Sequence, residues 1–352
     1  AKRELFAKVK EDLADHAVVA TNTSAIPLGE LSDVFDDPDR LIGLHFFNPV
    51  AKMPLVEVVH DTDTDRKRVD DGSSFATQIG KYALPVTSTP GFLVNRVLVP
   101  YMYKAMKRHR DGIPKEALDK AAVQFGMPMG PVELVDTVGL DVGLGVIDTL
   151  LGDAAAEDRK VLESMVESGK KGKKTGEGFY QWEKGKPQRD AEAHKGHDLE
   201  QIAADLIQPY LDECMACLRD DVVESEDLLD AGMIFGTGFA PFRGGPVHYV
   251  RNGDASASAD DSLLDAARSK SPKRRSTAAG EADSSERKPE RKPTTKASRK
   301  KSTGSTKKTG STKKKTKKTS GSKTAKKKTT APAPNAAGKS PDRPEGEQDD
   351  KD

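Results

Sequence analysis

His45 and Glu57 are the pair whose types and spacing offer acid–base chemistry. The histidine lies in an apolar run, Leu41–Phe47, against Phe46 and Phe47; the glutamate sits in a second run among Leu55, Val56, Val58 and Val59. A carboxylate in apolar surroundings is costly unless it meets a cation or hydrogen-bond donors. If the two runs form neighbouring strands, Glu57 can fix the imidazole in one tautomer and make it a general base. The same residues also suit a satisfied core histidine beside a rim glutamate.

The surrounding pattern says which elements must position this pair. Aliphatic runs of this length, broken by a loop containing Asn48, Pro49, Lys52 and Pro54, read as two buried strands of an α/β sheet. Upstream, Glu4 to His16 reads as a charged helix, Ala17–Ala20 as a strand and Pro27 to Val34 as a helix. Strand, helix, strand is a βαβ crossover, whose ligands bind beyond the carboxyl ends of the strands. Asn22, Ser24 and His45 converge there. A helix over Thr64–Gly80 and an edge strand over Tyr82–Thr87 follow, the edge position required because Pro85 cannot donate to a ladder. Thr89-Pro90-Gly91 then turns the chain out of the sheet.

From Phe92 the pattern is helical: Phe92–Arg110, Lys115–Phe125 and a helix from Val132, with a Gly- and Lys-rich loop over Gly169–Tyr180. A polar linker precedes a second helical stretch that echoes the first. Pro209-Tyr210-Leu211 matches Pro100-Tyr101-Met102, and Leu229-Asp230-Ala231-Gly232 matches Leu118-Asp119-Lys120-Ala121. The elements recur in the same order, the signature of an internal repeat.

Composition divides the 352 residues sharply. Residues 296–328 hold 15 Lys or Arg and no acid, which leaves the rest of the chain at −14 against the total of +1. Residues 254–352 contain no aromatic side chain and are expected to form a disordered Lys-rich tail. Such a tail suits non-specific contact with nucleic acid or another polyanion by counterion release. Two cysteines exclude a disulfide scaffold and fit a reducing, cytoplasmic setting. No apolar run approaches the roughly 20 residues of a membrane span.

Two metal patterns are set aside. Asp61, Asp63 and Asp65 mimic half a calcium loop, but Arg66 and Gly72 stand where that loop needs Gly and Glu, so helix capping accounts for them better. His194, His197, Cys214 and Cys217 mimic zinc spacing, yet the cysteines lie one turn apart on an apolar helix. No metal is expected. No G-x-G-x-x-G occurs either.

The blocks NTSAIPLGEL, GLHFFNPVAKMPLVEVV, TPGFLVNRVLVPY, FGMPMGPVELVDTVGLDVG and GKKTGEGFYQW together resemble the successive signatures of the 3-hydroxyacyl-CoA dehydrogenases. The second helical stretch, ending GMIFGTGFAPFRGGPVHYV, resembles the extra repeat of multifunctional fatty-acid oxidation α subunits. The resemblance implies oxidation of a (3S)-3-hydroxyacyl-CoA to the 3-oxoacyl-CoA with NAD as hydride acceptor. It assigns His45 as base, Glu57 as its orienting carboxylate, and Ser24 and Asn95 to substrate and catalysis. Asn22, Ser24, Asn48 and Lys174 fall at cofactor-binding positions. It implies an acyl-CoA substrate and either a homodimer or a complex with a thiolase subunit.

The family's opening strand and glycine turn fall upstream of Ala1, so the expectation is a fragment of a multifunctional subunit whose own hold on NAD is weak. The fold expected is α/β plus all-α: part of a Rossmann-type NAD-binding domain over 1–88, helical repeats over 89–184 and 195–253, and the tail. The rival reading is a catalytically silent interaction module, its repeats binding a partner and its tail a polyanion.

Overall fold

A computed structural model describes residues 2–265 apart from 15 and 25. The expected Lys-rich stretch, 296–328, lies outside the described residues.

Helix α1 (Lys2–Val9) leads to strand β1 (Val19–Thr21), the short helix α2 (Gly29–Ser32) and strand β2 (Leu41–Phe46). Strand β3 (Leu55–His60), helix α3 (Arg66–Gln78) and strand β4 (Tyr82–Thr87) complete the α/β part. The four strands lie in the order β1-β2-β3-β4, with β1 parallel to β2, β2 antiparallel to β3 and β3 parallel to β4. The first two helices are shorter than their apolar spacing suggests; α1 gives way to a turn of tighter helix at Lys10–Asp12.

Alternation along the strands sorts the sheet's two faces. Ile42, Leu44, Val56 and Val58 form one cluster with Val69 and Ala76 of α3. Gly72 allows the close approach of that helix, since a Cβ there would lie 2.6 Å from Ile42 Cδ1. The Asp65 carboxylate accepts from the Lys67 amide and caps α3, which accounts for one acid of the calcium-like run. The other face of the sheet, with Leu41, Leu55, Val59, Leu84 and Val86, shares one continuous core with the helices that follow. On the outer rim of β4 the Thr87 N–H donates to Val222 O and the Thr87 hydroxyl to Asp221 O, while Pro85 offers no donor.

The helical part opens with α4 (Val94–Arg110), α5 (Lys115–Phe125), α6 (Pro131–Val138), α7 (Leu140–Leu150) and α8 (Ala156–Glu167). After the short hairpin β5–β6 (Trp182–Glu183, Lys186–Pro187) come α9 (Leu199–Arg219), α10 (Glu226–Thr237) and α11 (Pro246–Arg251). One device occurs twice. Asp119 of α5 accepts from the Val132 and Glu133 amides at the start of α6, and Asp230 of α10 accepts from the Val247 and His248 amides at the start of α11. A glycine stands against each carboxylate, Gly130 at Asp119 and Gly245 at Asp230, where any Cβ would collide.

Asp119 is buried and also accepts from the Tyr180 hydroxyl at 2.9 Å. Burial raises its carboxyl from 3.8 to about 6, against the lowering effect of the two amides and the hydroxyl. The folded protein therefore holds this proton more tightly than the unfolded chain does. That contribution to stability is complete below the unfolded value and is lost as pH rises through about 6. At about 1.4 kcal/mol per pKa unit, a loss on the order of 2–3 kcal/mol is expected from this group. Urea unfolding between roughly pH 4 and pH 7 should show it, and Asp119→Asn should flatten the curve over that window.

The expected boundary of the tail at 254 is too early. Residues 255–265 pack along α9: Ala255 and Ala257 join the main core, and Leu264 is fully buried in the cluster around Leu140, Ile147 and Leu162. Ser256 O accepts from the Gln208 side chain, and the Ser262 hydroxyl donates to Glu213 at 2.5 Å. Low aromatic content hid this segment, because its attachment relies on two leucines and a run of small polar groups. Cys214 and Cys217 are free and buried on α9, and no group of potential metal ligands gathers among the described residues.

Candidate active site

The antiparallel register places His45 directly opposite Glu57. Both lie on the face of the sheet that meets the helices, the alternate face to Leu44 and Val58. His45 Nδ1 is 2.6 Å from Glu57 Oε2. The second carboxylate oxygen, Oε1, accepts from the Leu93 and Val94 amides at 3.0 and 2.9 Å. Glu57 is thus 0% exposed but fully engaged, receiving the free N–H groups at the start of α4 where the helix dipole favours an anion. With the carboxylate as acceptor, the hydrogen of the pair is assigned to Nδ1, which leaves the Nε2 lone pair for chemistry.

The turn that aims those amides is unusual. Gly91 has φ 82° and Phe92 φ 54°, and a bulky residue in the left-handed region is strained unless its surroundings impose it. Here the Phe92 ring is fully buried and meets the imidazole edge-on at 5.5 Å, while Phe47 meets it at 4.7 Å. The two rings enclose His45, which is only 4% exposed, instead of leaving it on the wall of an open cleft. A groove lined by Arg66, Asp70, Ser73, Thr77 and Tyr82 lies between α3 and β4 and includes none of the candidate residues.

Asn95, one residue beyond the Val94 amide, donates through Nδ2 to Ser24 O at 3.0 Å. That bond joins the loop after β1 to the turn that holds Glu57. Asn95 keeps its second N–H and its carbonyl oxygen for another partner. Asn22, which follows the last residue of β1, is exposed, as are Ser24 and Asn48. Lys174 stands apart in its bonding. Its ammonium pairs with Asp141 of α7 beside Gly139, and that hydrogen bond holds the Asp141 carboxyl below its usual range. The loop bearing Lys174 is tied down by Asp136, whose buried carboxylate accepts from the Phe179 and Tyr180 amides and the Trp182 indole at 2.8–2.9 Å.

Sequence reasoning missed the Leu93 and Val94 amides and the Phe92 ring, because neither main-chain donors nor an aliphatic run carry a visible chemical label. The signal was present in Pro90-Gly91 directly before a helix. A turn there leaves unbonded N–H groups that need an acceptor.

Sheet, helical part and His–Glu pair together define an α/β protein with an appended helical part. Residues 1–89 match the 3-hydroxyacyl-CoA dehydrogenase NAD binding domain, and residues 91–182 match that enzyme's C-terminal domain. These matches span just over half of the sequence, and the chain belongs to the 3-hydroxyacyl-CoA dehydrogenase family.

Among solved structures it is similar to M. tuberculosis FadB2, at 38% identity over 52% of this chain and 66% of that one, with a TM-score of 0.48. The 3-hydroxybutyryl-CoA dehydrogenase of Escherichia coli K12 aligns over 71% of each chain at 24% identity and a TM-score of 0.59, a likeness of fold. The dehydrogenase part of multifunctional enzyme 1 from C. elegans aligns at 26% identity, covering 67% of this chain and 57% of that one, with a TM-score of 0.47. The chain spans about two thirds of the length of the first two of these relatives and 57% of the third.

Proposed function

We propose that this chain catalyses the NAD-dependent interconversion of (3S)-3-hydroxyacyl-CoA and 3-oxoacyl-CoA, with His45 as the general base. The observation that carries the reading is the buried His45–Glu57 pair, anchored by two main-chain amides at the start of α4. Glu57 keeps the hydrogen on Nδ1, so that Nε2 takes the proton of the 3-hydroxyl as the carbonyl forms and returns it in the reverse direction. Ser24 and Asn95 supply neutral donors for the substrate oxygen, where charge develops during transfer. The Ser24 hydroxyl and the Asn22 and Asn48 amides are uncharged donor–acceptor groups at exposed positions after β1 and β2, a set whose chemistry fits a carboxamide-bearing nicotinamide. When bound, the nicotinamide supplies the hydride acceptor, and the protein supplies position. Lys174, held by Asp141, is assigned to the same half of the cofactor on the family resemblance alone.

The twin Asp119 and Asp230 devices support reading α9–α11 as a second copy of the α4–α6 arrangement. The partner this reading favours is a second copy of the chain or a thiolase subunit, met through the helical units.

Acetoacetyl-CoA with NADH, followed by loss of NADH absorbance, tests the assignment on the full chain. Turnover is expected. A chain that stays folded and titrates neither substrate nor NADH by calorimetry would instead favour a catalytically silent interaction module.

A further inference from the structure

The dyad is held by a turn, and that turn rests on helices that lie beyond residue 182, outside both matched segments. Helix α10 meets the turn without an intervening side chain. A Cβ at Gly236 would lie 2.8 Å from Val94 Cγ2 and 2.8 Å from Leu55 Cδ2; one at Gly232 would lie 2.6 Å from Leu84 Cδ2 and 3.2 Å from Leu93 Cδ2. Both glycines are inside the helix with ordinary helical backbone, where glycine is disfavoured relative to alanine. Close approach is the physical reason for them. The two residues they touch in α4's first turn, Leu93 and Val94, are the ones whose amides grip Glu57.

A second brace acts through Arg96, whose own amide closes the same turn on Gly91 O. Its guanidinium, 1% exposed, donates from Nε to Glu213 Oε1 and from Nη2 to Asp220 Oδ2, each at 2.6 Å. The other oxygen of Glu213 is fixed by the Ser262 hydroxyl. A bonded path therefore runs from Ser262 through Glu213 and Arg96 to the turn, and on to Glu57 and His45.

We propose that α9 and α10 set the height of the Leu93–Val94 amides over the carboxylate, making Gly232, Gly236, Arg96 and Glu213 positioning residues for the His45–Glu57 pair. This rests on the reading of His45 as the base. It assigns the second helical unit a part in the reaction: without it, the turn that carries the amides loses its contacts with Gly232 and Gly236 and the Arg96 brace.

Gly236→Ala is the incisive variant, because alanine favours helix α10 while its methyl group displaces Val94. Two readouts apply to the full chain. One is the downfield proton resonance of the His45 Nδ1–H, recorded without substrate and assigned by its loss in His45→Gln. The other is the split between kcat and KM for acetoacetyl-CoA. The expected result is a shifted or lost resonance and a roughly tenfold to hundredfold fall in kcat, with KM within about twofold.

Glu213→Gln, nearly isosteric, is expected to move both readouts in the same direction and carries the test if Gly236→Ala fails to fold. Asp205→Asn is the control: it weakens the Lys104 and Arg108 pairs that join α4 to α9 elsewhere along α4, and should leave the resonance unchanged. A folded Gly236→Ala with unaltered resonance and kcat overturns the proposal, as does a resonance that Asp205→Asn moves equally. Because the resonance needs no turnover, an inactive wild-type chain whose resonance still responds to Gly236→Ala would sink the dehydrogenase reading alone.

Discussion

Replacing His45 with Gln should lower turnover of acetoacetyl-CoA by roughly 10²–10⁴-fold, the range of a positioned general base. Glutamine can still donate toward Glu57, so the buried carboxylate is not left without its third partner. Folding should therefore survive, and unfolding by urea should separate a catalytic loss from a structural one. The fall should appear in kcat and in kcat/KM alike, since the proton moves only in the transition state. A variant with turnover within about threefold of wild type would remove His45 from the mechanism and leave Glu57 as a helix cap.

The largest effect on stability should come from Asp136→Ala. Its carboxylate, fully buried, satisfies two amides and the Trp182 indole; Gly178 lies against the carboxylate and Gly172 against the Asp136 main chain, so closely that a Cβ at either would collide. Alanine would strand three donors, two of them buried and one half-buried, each worth about 1–3 kcal/mol when bonded to a charged group and left unmet. A loss of roughly 3–5 kcal/mol is expected, read as a lower urea midpoint with little change in slope. Asp136→Asn keeps one acceptor oxygen and should recover part of it. The Lys174 loop should become the first protease-sensitive site in either variant.

Much of this was legible in the residues. His45 and Glu57 could be paired from two apolar runs because cross-strand neighbours on a buried face must agree in chemistry, and the register puts them opposite each other. Pro85 placed β4 at the edge, and helix α5 occupies the residues its apolar spacing predicted. The remaining geometry was hidden where the information is not in side-chain type. The Glu57 grip is made by main-chain N–H groups, the Phe92 backbone takes a conformation its side chain disfavours, and Gly232 and Gly236 are defined by what approaches them. The segment after 254 was misread for the converse reason. Its composition is that of a solvated chain, but Leu263 and Leu264 find a cluster that only the folded helices create.

The finish of β4 bears on how the protein behaves in a crowded solution. An unguarded sheet margin invites another strand to add on, which is how soluble chains begin to form fibres. Here Asp221 and Val222 take up the last residue of that margin, and Pro85 removes a donor partway along it, so an incoming strand would find an interrupted ladder. The connection between α9 and α10 thus also blocks strand addition at that end of the sheet.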